Sequence, residues 1–335
     1  MVYKNKIQDL KRIVVIGLCL AVVPVSALEK VGVTSFQFLK IMTDARSTGM
    51  GEAYSAVGNT AGGLFWNPAT LTRVNGLDFA ASQTDWFLDA VHYSFALAIP
   101  MGTIGSFGIQ GLYVDYGEFD ETTVEKLGFI GDVYNPGLTG NILNPDANVI
   151  GLSYARSMTN KFSFGITAKY ASEDLDAIKQ NGDPAVTGSV MFDIGIIYDT
   201  GFKSLRLAAT LRHFGPEITY SDEGFPLPQT MNMGIAGYLI GPGASLLATS
   251  STHSLLLAAD LVQPRDYDQQ YNVGLEYGLS NLVFVRGGYK INYDLEGLCF
   301  GAGVKLAGIR VDYSYNDVGE YFNPVHRFTI GYAAK

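Results

Sequence analysis

Residues 281–316 read NLVFVRGGYKINYDLEGLCFGAGVKLAGIRVDYSYN, and they alternate. From Val283 to Ile291 one face carries Val283, Val285, Gly287, Tyr289 and Ile291, and the other Phe284, Arg286, Gly288 and Lys290. From Leu298 to Leu306, Leu298, Phe300, Ala302, Val304 and Leu306 oppose Cys299, Gly301, Gly303 and Lys305. A period of two, apolar on one face and small or polar on the other, is that of a strand whose two sides meet different surroundings. Only Ala307 separates the second run from a third at 308–316, a connection that suits an antiparallel pair.

The pattern recurs along the chain. Fourteen segments carry it: 77–85, 91–99, 104–114, 147–157, 161–171, 188–199, 203–213, 229–240, 252–262, 270–278, 281–291, 297–306, 308–316 and 326–334. Most span about 9–12 residues, the length a tilted strand needs to cross a bilayer. Soluble sheets favour strands of about 5–6 residues. Tight connections (100–103, 158–160, 200–202, 279–280 and 307) alternate with longer ones (116–147, 172–187, 214–228, 263–269 and 317–325), and only 241–251 is longer than this rule allows. Short turns on one side and long loops on the other is the layout of an outer-membrane barrel. A closed sheet also satisfies every backbone group in lipid. The predicted fold is therefore all-β, a transmembrane antiparallel β-barrel of about 14 strands over residues 77–335. Tyr93, Tyr113, Tyr154, Tyr170, Tyr198, Tyr289, Tyr313 and Tyr332 fall on its outward face, many near strand ends, as an interfacial girdle would. A soluble sandwich is the alternative, disfavoured by strand length and by a charged fraction of only 16%.

Composition agrees with that reading. The mean hydropathy is positive, yet the chain has one long apolar run, Ile13–Val25, preceded by Lys4, Lys6, Lys11 and Arg12 and followed by Ser26-Ala27. This is the layout of a secretory signal, so residues 1–27 are expected to be removed. An N-terminal anchor is the alternative, and the run is short for a spanning helix. Removal takes four basic residues and one acid from 23 and 32, leaving 19 against 31 and a net charge of −12. A chain this acidic is not expected to bind nucleic acid. Of its two cysteines only Cys299 then remains, which excludes a disulfide scaffold.

Residues 28–76 do not alternate, and Gly49, Gly51, Ala53, Ser55, Ala56, Gly58, Ala61, Gly62 and Gly63 let backbone approach backbone closely. Pro68 bars a regular element through Asn67–Ala69 and biases Asn67 toward an extended conformation. The segment is expected to form a compact plug or hatch ahead of the barrel. Its sequence from Ala45 to Ala56 (ARSTGMGEAYSA), followed by Phe65-Trp66-Asn67-Pro68-Ala69-Thr70-Leu71, resembles the N-terminal signature of the PorV/PorQ family. Phe38-Leu39-Lys40-Ile41 and His326-Arg327-Phe328 also fit it, while Thr70-Leu71 departs from the usual Gly-Leu. That family is part of the FadL-like group of 14-stranded barrels, in which the matching segment is a hatch inside the lumen. The resemblance marks Arg46, Gly49, Gly51, Ala53, Tyr54, Trp66, Asn67, Pro68 and Ala69 as the plug motif. It implies action with the type IX secretion machinery, binding secreted cargo and outer-membrane partners at the cell surface.

No catalytic constellation is present. His92, His213, His253 and His326 have no second His or Cys at metal spacing, so neither metal nor cofactor is expected. Gly301-x-Gly303 lacks the third glycine of a dinucleotide loop and sits within a strand. Alternation places Lys169, Asp193, Arg206, Arg212, Glu276, Arg286, Lys290, Lys305, Arg310 and Asp312 on the lumen face, with Asp78, Asp260 and Arg327. That wall is mixed and slightly basic. The excess acid belongs to loops, at Asp115, Glu118, Asp120, Glu121 and Glu125, at Glu173, Asp174, Asp176 and Asp183, and at Glu217, Asp222 and Glu223. Salt-bridged rigidity inside and solvated loops outside are the plain reading of this placement, and an acidic docking face is the functional one. The expected partners are outer-membrane lipid and a partner protein or secreted cargo. The alternative function is a FadL-like passive transporter with a hydrophobic small-molecule ligand.

Overall fold

A computed structural model describes residues 32–334 apart from 179–181, 183, 221–222 and 320–321. The signal segment 1–27, Asp183 and Asp222 thus lie outside the described residues. The barrel strands are β1 (Asp78–Asp85), β2 (Val91–Pro100), β3 (Ser106–Asp115), β4 (Asp146–Ser157), β5 (Phe162–Ile178), β6 (Pro184–Asp199), β7 (Arg206–Phe214), β8 (Thr230–Gly241), β9 (His253–Pro264), β10 (Gln270–Leu279), β11 (Val283–Ile291), β12 (Leu298–Leu306), β13 (Ile309–Asn316) and β14 (Val325–Ala333). Each pairs antiparallel with the next, and β14 pairs back onto β1 from Asp78↔Ala333 to Asp85↔His326. The sheet is a closed 14-strand barrel, so no edge remains to be satisfied in lipid.

Exposure follows the alternation. On β12, Leu298, Phe300 and Val304 are exposed, whereas Cys299, Gly301 and Gly303 are buried. The apolar face therefore meets lipid, and the small and polar face meets the interior. Among the described residues no helix is long and apolar enough to cross a membrane.

In the sheet, the main differences from the sequence reading lie at strand ends and in the connections. Strands β5 and β6 run on to Ile178 and start from Pro184, beyond the expected limits at 171 and 188. Hairpin hydrogen bonding prolongs them past the apolar pattern, through Ala171↔Ser189 to Asp174↔Val186. The 116–147 connection is a two-stranded hairpin, Phe119–Ile130 against Val133–Leu143, separate from the barrel sheet. A short hairpin also pairs Ile218–Thr219 with Gly224–Phe225. The 241–251 connection is long because it folds back on its own strand: Ala248–Thr249 pairs parallel to Ile240–Gly241, and the Leu246 amide donates to the Tyr238 carbonyl at 2.8 Å.

Residues 34–74 are mostly buried and traverse the interior. They start at the long-loop side, where the Ser35 amide donates to the Pro226 carbonyl at 3.0 Å and Thr34 Oγ1 to Asp266 at 2.6 Å. They finish at the short-turn side, where the Ala61 amide donates to Asp78 at 2.8 Å and Arg73 reaches Asp199 at 3.4 Å. Between these ends lies a short helix α1 (Ala45–Gly49), capped by Asp44, whose carboxylate accepts from the Ser47 amide at 2.8 Å. Contrary to the sequence expectation, Pro68 opens a 3₁₀ turn over Pro68–Arg73. At the first position of a helical turn its missing N–H costs nothing, and Asn67 stays extended, accepting from the Ala69 amide at 2.9 Å.

The glycines make the contact with the wall possible. A Cβ on Gly288 would stand 2.1 Å from the Gly51 nitrogen, and one on Gly165 2.4 Å from the Ala69 nitrogen. No real Cβ tolerates such distances. Backbone therefore lies on backbone at both places, and Gly51 itself has φ +60°, where other residues are strained.

Candidate functional site

The interior holds several clusters of paired charges, some within the wall and some joining it to the inner segment. Glu276 on β10 accepts from Arg46 of α1 through both oxygens, at 2.8 Å each, and from Arg286 Nε on β11 at 2.7 Å. Arg286 Nη1 continues to Asp312 on β13 at 2.7 Å, and Arg46 Nη1 donates to Asn59 at 2.6 Å. Arg310 forms a fork with Asp78 at 2.6 and 2.7 Å. Lys290 bridges Glu52 at 2.6 Å and Glu296 at 2.8 Å. Lys169 and Asp193 form a separate buried pair at 2.6 Å, and Asp193 also accepts from the His213 amide. Buried pairs of this kind give little net stability, but they fix geometry, because removing one partner strands the other.

Of the residues singled out in the sequence, Arg46, Glu276, Arg286 and Asp312 form one chain of contacts. Arg212 donates to the Phe65 carbonyl at 3.1 Å and lies over the Trp66 ring, 5.2 Å from its centre. Tyr54 packs edge-on against Trp66 at 6.1 Å, with the Arg46 guanidinium 5.6 Å from its own ring centre. Asn67 Nδ2 donates to the Ser55 carbonyl at 3.0 Å and to the Ile196 carbonyl of β6 at 3.2 Å. Gly49, Gly51, Ala53, Pro68 and Ala69 are buried. Two cations are not drawn into the clusters. Arg206 is buried with its Nε unpartnered, and Lys305 has no ion pair or side-chain hydrogen bond among the described residues.

Other anchors come from the wall, and of these only Arg327 lies in a stretch the sequence resemblance marked. Asp260 on β9 accepts from the Tyr54 and Ser55 amides at 3.1 and 2.9 Å. Arg327 on β14 donates to the Met42 carbonyl at 2.7 Å, Asn316 Nδ2 to the Thr48 carbonyl at 3.1 Å, and Thr329 accepts from the Ala45 amide at 2.9 Å. Their inward position follows from alternation, but their targets do not. At the loop side Lys40 reaches Asp266. Burial there would raise the Asp266 carboxyl, but donation from Lys40 and Thr34 holds it below the usual carboxylate range.

Around these clusters stands a closed barrel that segment 34–74 crosses from mouth to mouth. A family profile described as type IX secretion system membrane protein PorP/SprF matches residues 139–332, more than half of the chain. The chain belongs to the PorP/SprF family. It is an outer-membrane barrel of the type IX secretion system. A comparison with curated protein sequences finds no match. Among solved structures, the CymD monoaromatic hydrocarbon channel superposes with a TM-score of 0.57 at 13% identity, over 90% of this chain and 99% of that one. The Pseudomonas putida toluene transporter TodX does so with 0.54 at 10% identity, over 84% and 96%. At such identities the likeness is one of fold, the FadL-like 14-strand barrel. Membership of a type IX secretion family and a FadL-like barrel agree with the sequence reading. The family shown is PorP/SprF, whereas the expectation was PorV/PorQ, whose signature at residues 38–41 and 45–71 lies outside the matched stretch and at 326–328 within it.

Proposed function

We propose that this protein acts without catalysis, holding a secreted cargo or partner protein at the cell surface, with residues 34–74 as a fixed plug. The observation that carries this reading is the hairpin 119–143 on the long-loop side. Phe129, Ile130 and Val133 at its tip are 73%, 71% and 72% exposed. A two-stranded hairpin standing alone is marginal in water, and contiguous exposed apolar side chains mark interaction surfaces. Asp120, Glu121, Glu125 and Asp132 against Lys126 make it acidic, which disfavours anionic headgroups and favours a protein with a basic rim. Supporting the plug is the set of charge and backbone anchors that ties segment 34–74 to the wall. The PorV/PorQ-like signature adds the same reading for that segment, on a barrel of the PorP/SprF family.

Changing Phe129, Ile130 and Val133 together to serine tests it. The barrel should still insert and shift on heating in gel electrophoresis. Secretion of type IX cargo should fall about tenfold, as loss of about 1.4 kcal/mol of docking energy gives. Unchanged secretion would sink the reading.

A second reading, passive passage of hydrophobic small molecules, has one observation in its favour. A cleft of about 460 Å³ at the loop side is lined by Phe36, Phe38, Trp86, Tyr116, Phe119 and Phe225. Under it, expression in a permeability-deficient strain confers toluene uptake, and Phe38→Glu removes it. No uptake by the unaltered protein rejects it.

A further inference from the structure

At the opposite, short-turn end of the lumen lies a cavity of about 380 Å³, the size of a ligand pocket and far larger than one ion needs. Exposed Asn75, Ser251 and Asn281 form its rim, so it opens toward the periplasm. Five cations line it, Arg46, Arg73, Arg286, Lys305 and Arg310, against three carboxylates, Asp78, Glu276 and Asp312.

Every one of those carboxylates is engaged. Glu276 is shared by Arg46 and Arg286, Asp312 is held by Arg286, and both oxygens of Asp78 are held by Arg310. Arg73 reaches only Asp199, at 3.4 Å. Lys305 is left half-buried without an ionic or hydrogen-bonding partner among the described residues. Its cross-strand neighbour in register is Arg310, on the same inward face. Like charges directly opposed on one face destabilise a sheet, and the Lys305 ammonium faces the cavity with no carboxylate among the described residues paired to it. An anion seated beside Lys305 would relieve both.

We infer that this cavity is a binding site for the carboxylate side chains of an acidic peptide segment presented from the periplasm, with Lys305 as the primary donor. The other four cations are offset by Glu276, Asp312, Asp78 and Asp199, so the uncompensated positive charge is that of Lys305. The cavity volume calls for a chain segment and not for a lone inorganic anion. The chain as a whole carries a net charge of −9, so an acidic peptide gains nothing from the rest of its surface. The site is separate from the surface hairpin, so its failure would leave that docking reading standing.

The test uses the full-length protein in detergent micelles and a fluorescein-labelled tetraglutamate peptide, read by fluorescence polarisation. Saturable, salt-sensitive binding is expected, with tetralysine inert. Lys305→Gln should weaken it about tenfold, the loss of one charge-assisted contact. Arg265→Gln, exposed on a loop at the opposite end, should leave it unchanged, and both variants should keep the heat-modifiable mobility of a folded barrel. The proposal is overturned if the peptide does not bind, if Lys305→Gln binds it equally well, or if inorganic phosphate binds and the peptide does not.

Discussion

Replacing Glu276 by alanine is expected to destabilise the folded barrel by about 3–5 kcal/mol, the cost of stranding buried charges. Glu276 is 4% exposed and neutralises two guanidiniums at once. Without it Arg286 retains Asp312, and Arg46 retains only Asn59 and the face of Tyr54. Urea unfolding in detergent, followed by the fluorescence of Trp66 and Trp86, should show a clear drop in midpoint. The double change Arg46→Met with Glu276→Met should recover part of it, because the pair is then removed together and only Arg286 keeps its remaining partner. A midpoint unmoved by Glu276→Ala would mean that the Arg46–Glu276–Arg286 chain is solvated in solution.

The second large effect concerns Gly288. Valine there should dislodge the inner segment while leaving the barrel closed. Its Cβ would lie 2.1 Å from the Gly51 nitrogen and 2.3 Å from the Met50 carbonyl carbon, and both are backbone atoms that no rotamer change can move. Overpacking of a side chain costs about 1–3 kcal/mol, and a clash of backbone with Cβ leaves displacement of the segment as the way out. Gly287 provides the control. It is the next residue on the same strand, but its Cβ would meet nothing within 4 Å, because it faces outward. Limited proteolysis should cut residues 34–74 in Gly288→Val and spare them in Gly287→Val, with both proteins still heat-modifiable. Equal protection in the two variants would show that the segment does not rest on β11.

The two variants also show what could be read from the chain alone. Gly287 and Gly288 are told apart by alternation, which places one outward and the other inward. The same alternation located the fourteen strands to within a few residues where they cross the bilayer, as at Val283–Ile291 and Leu298–Leu306. It failed where lipid no longer enforces it. Hairpin 119–143 is mostly exposed on both faces, so no period of two marks it, and cross-strand hydrogen bonding alone defines it. The inward positions of Glu276, Arg286 and Asp312 were legible from alternation, and Arg46 from the family resemblance of its segment, but their union was not. Glu276 lies 230 residues from Arg46, and nothing local relates them.

The sequence by itself determined which residues face lipid and which face inward, and therefore a closed antiparallel barrel. This is a property of successive residues: a side chain's direction along a strand depends only on parity, and the bilayer sorts apolar from polar at every position. Only the tertiary structure decided which charges neutralise one another, where the inner segment touches the wall, and that Lys305 is left over opposite Arg310. Those outcomes depend on strand register and on the path of residues 34–74 through the lumen. Both are set by the closure of the whole sheet and by packing of backbone on glycine, which no stretch of the chain encodes alone.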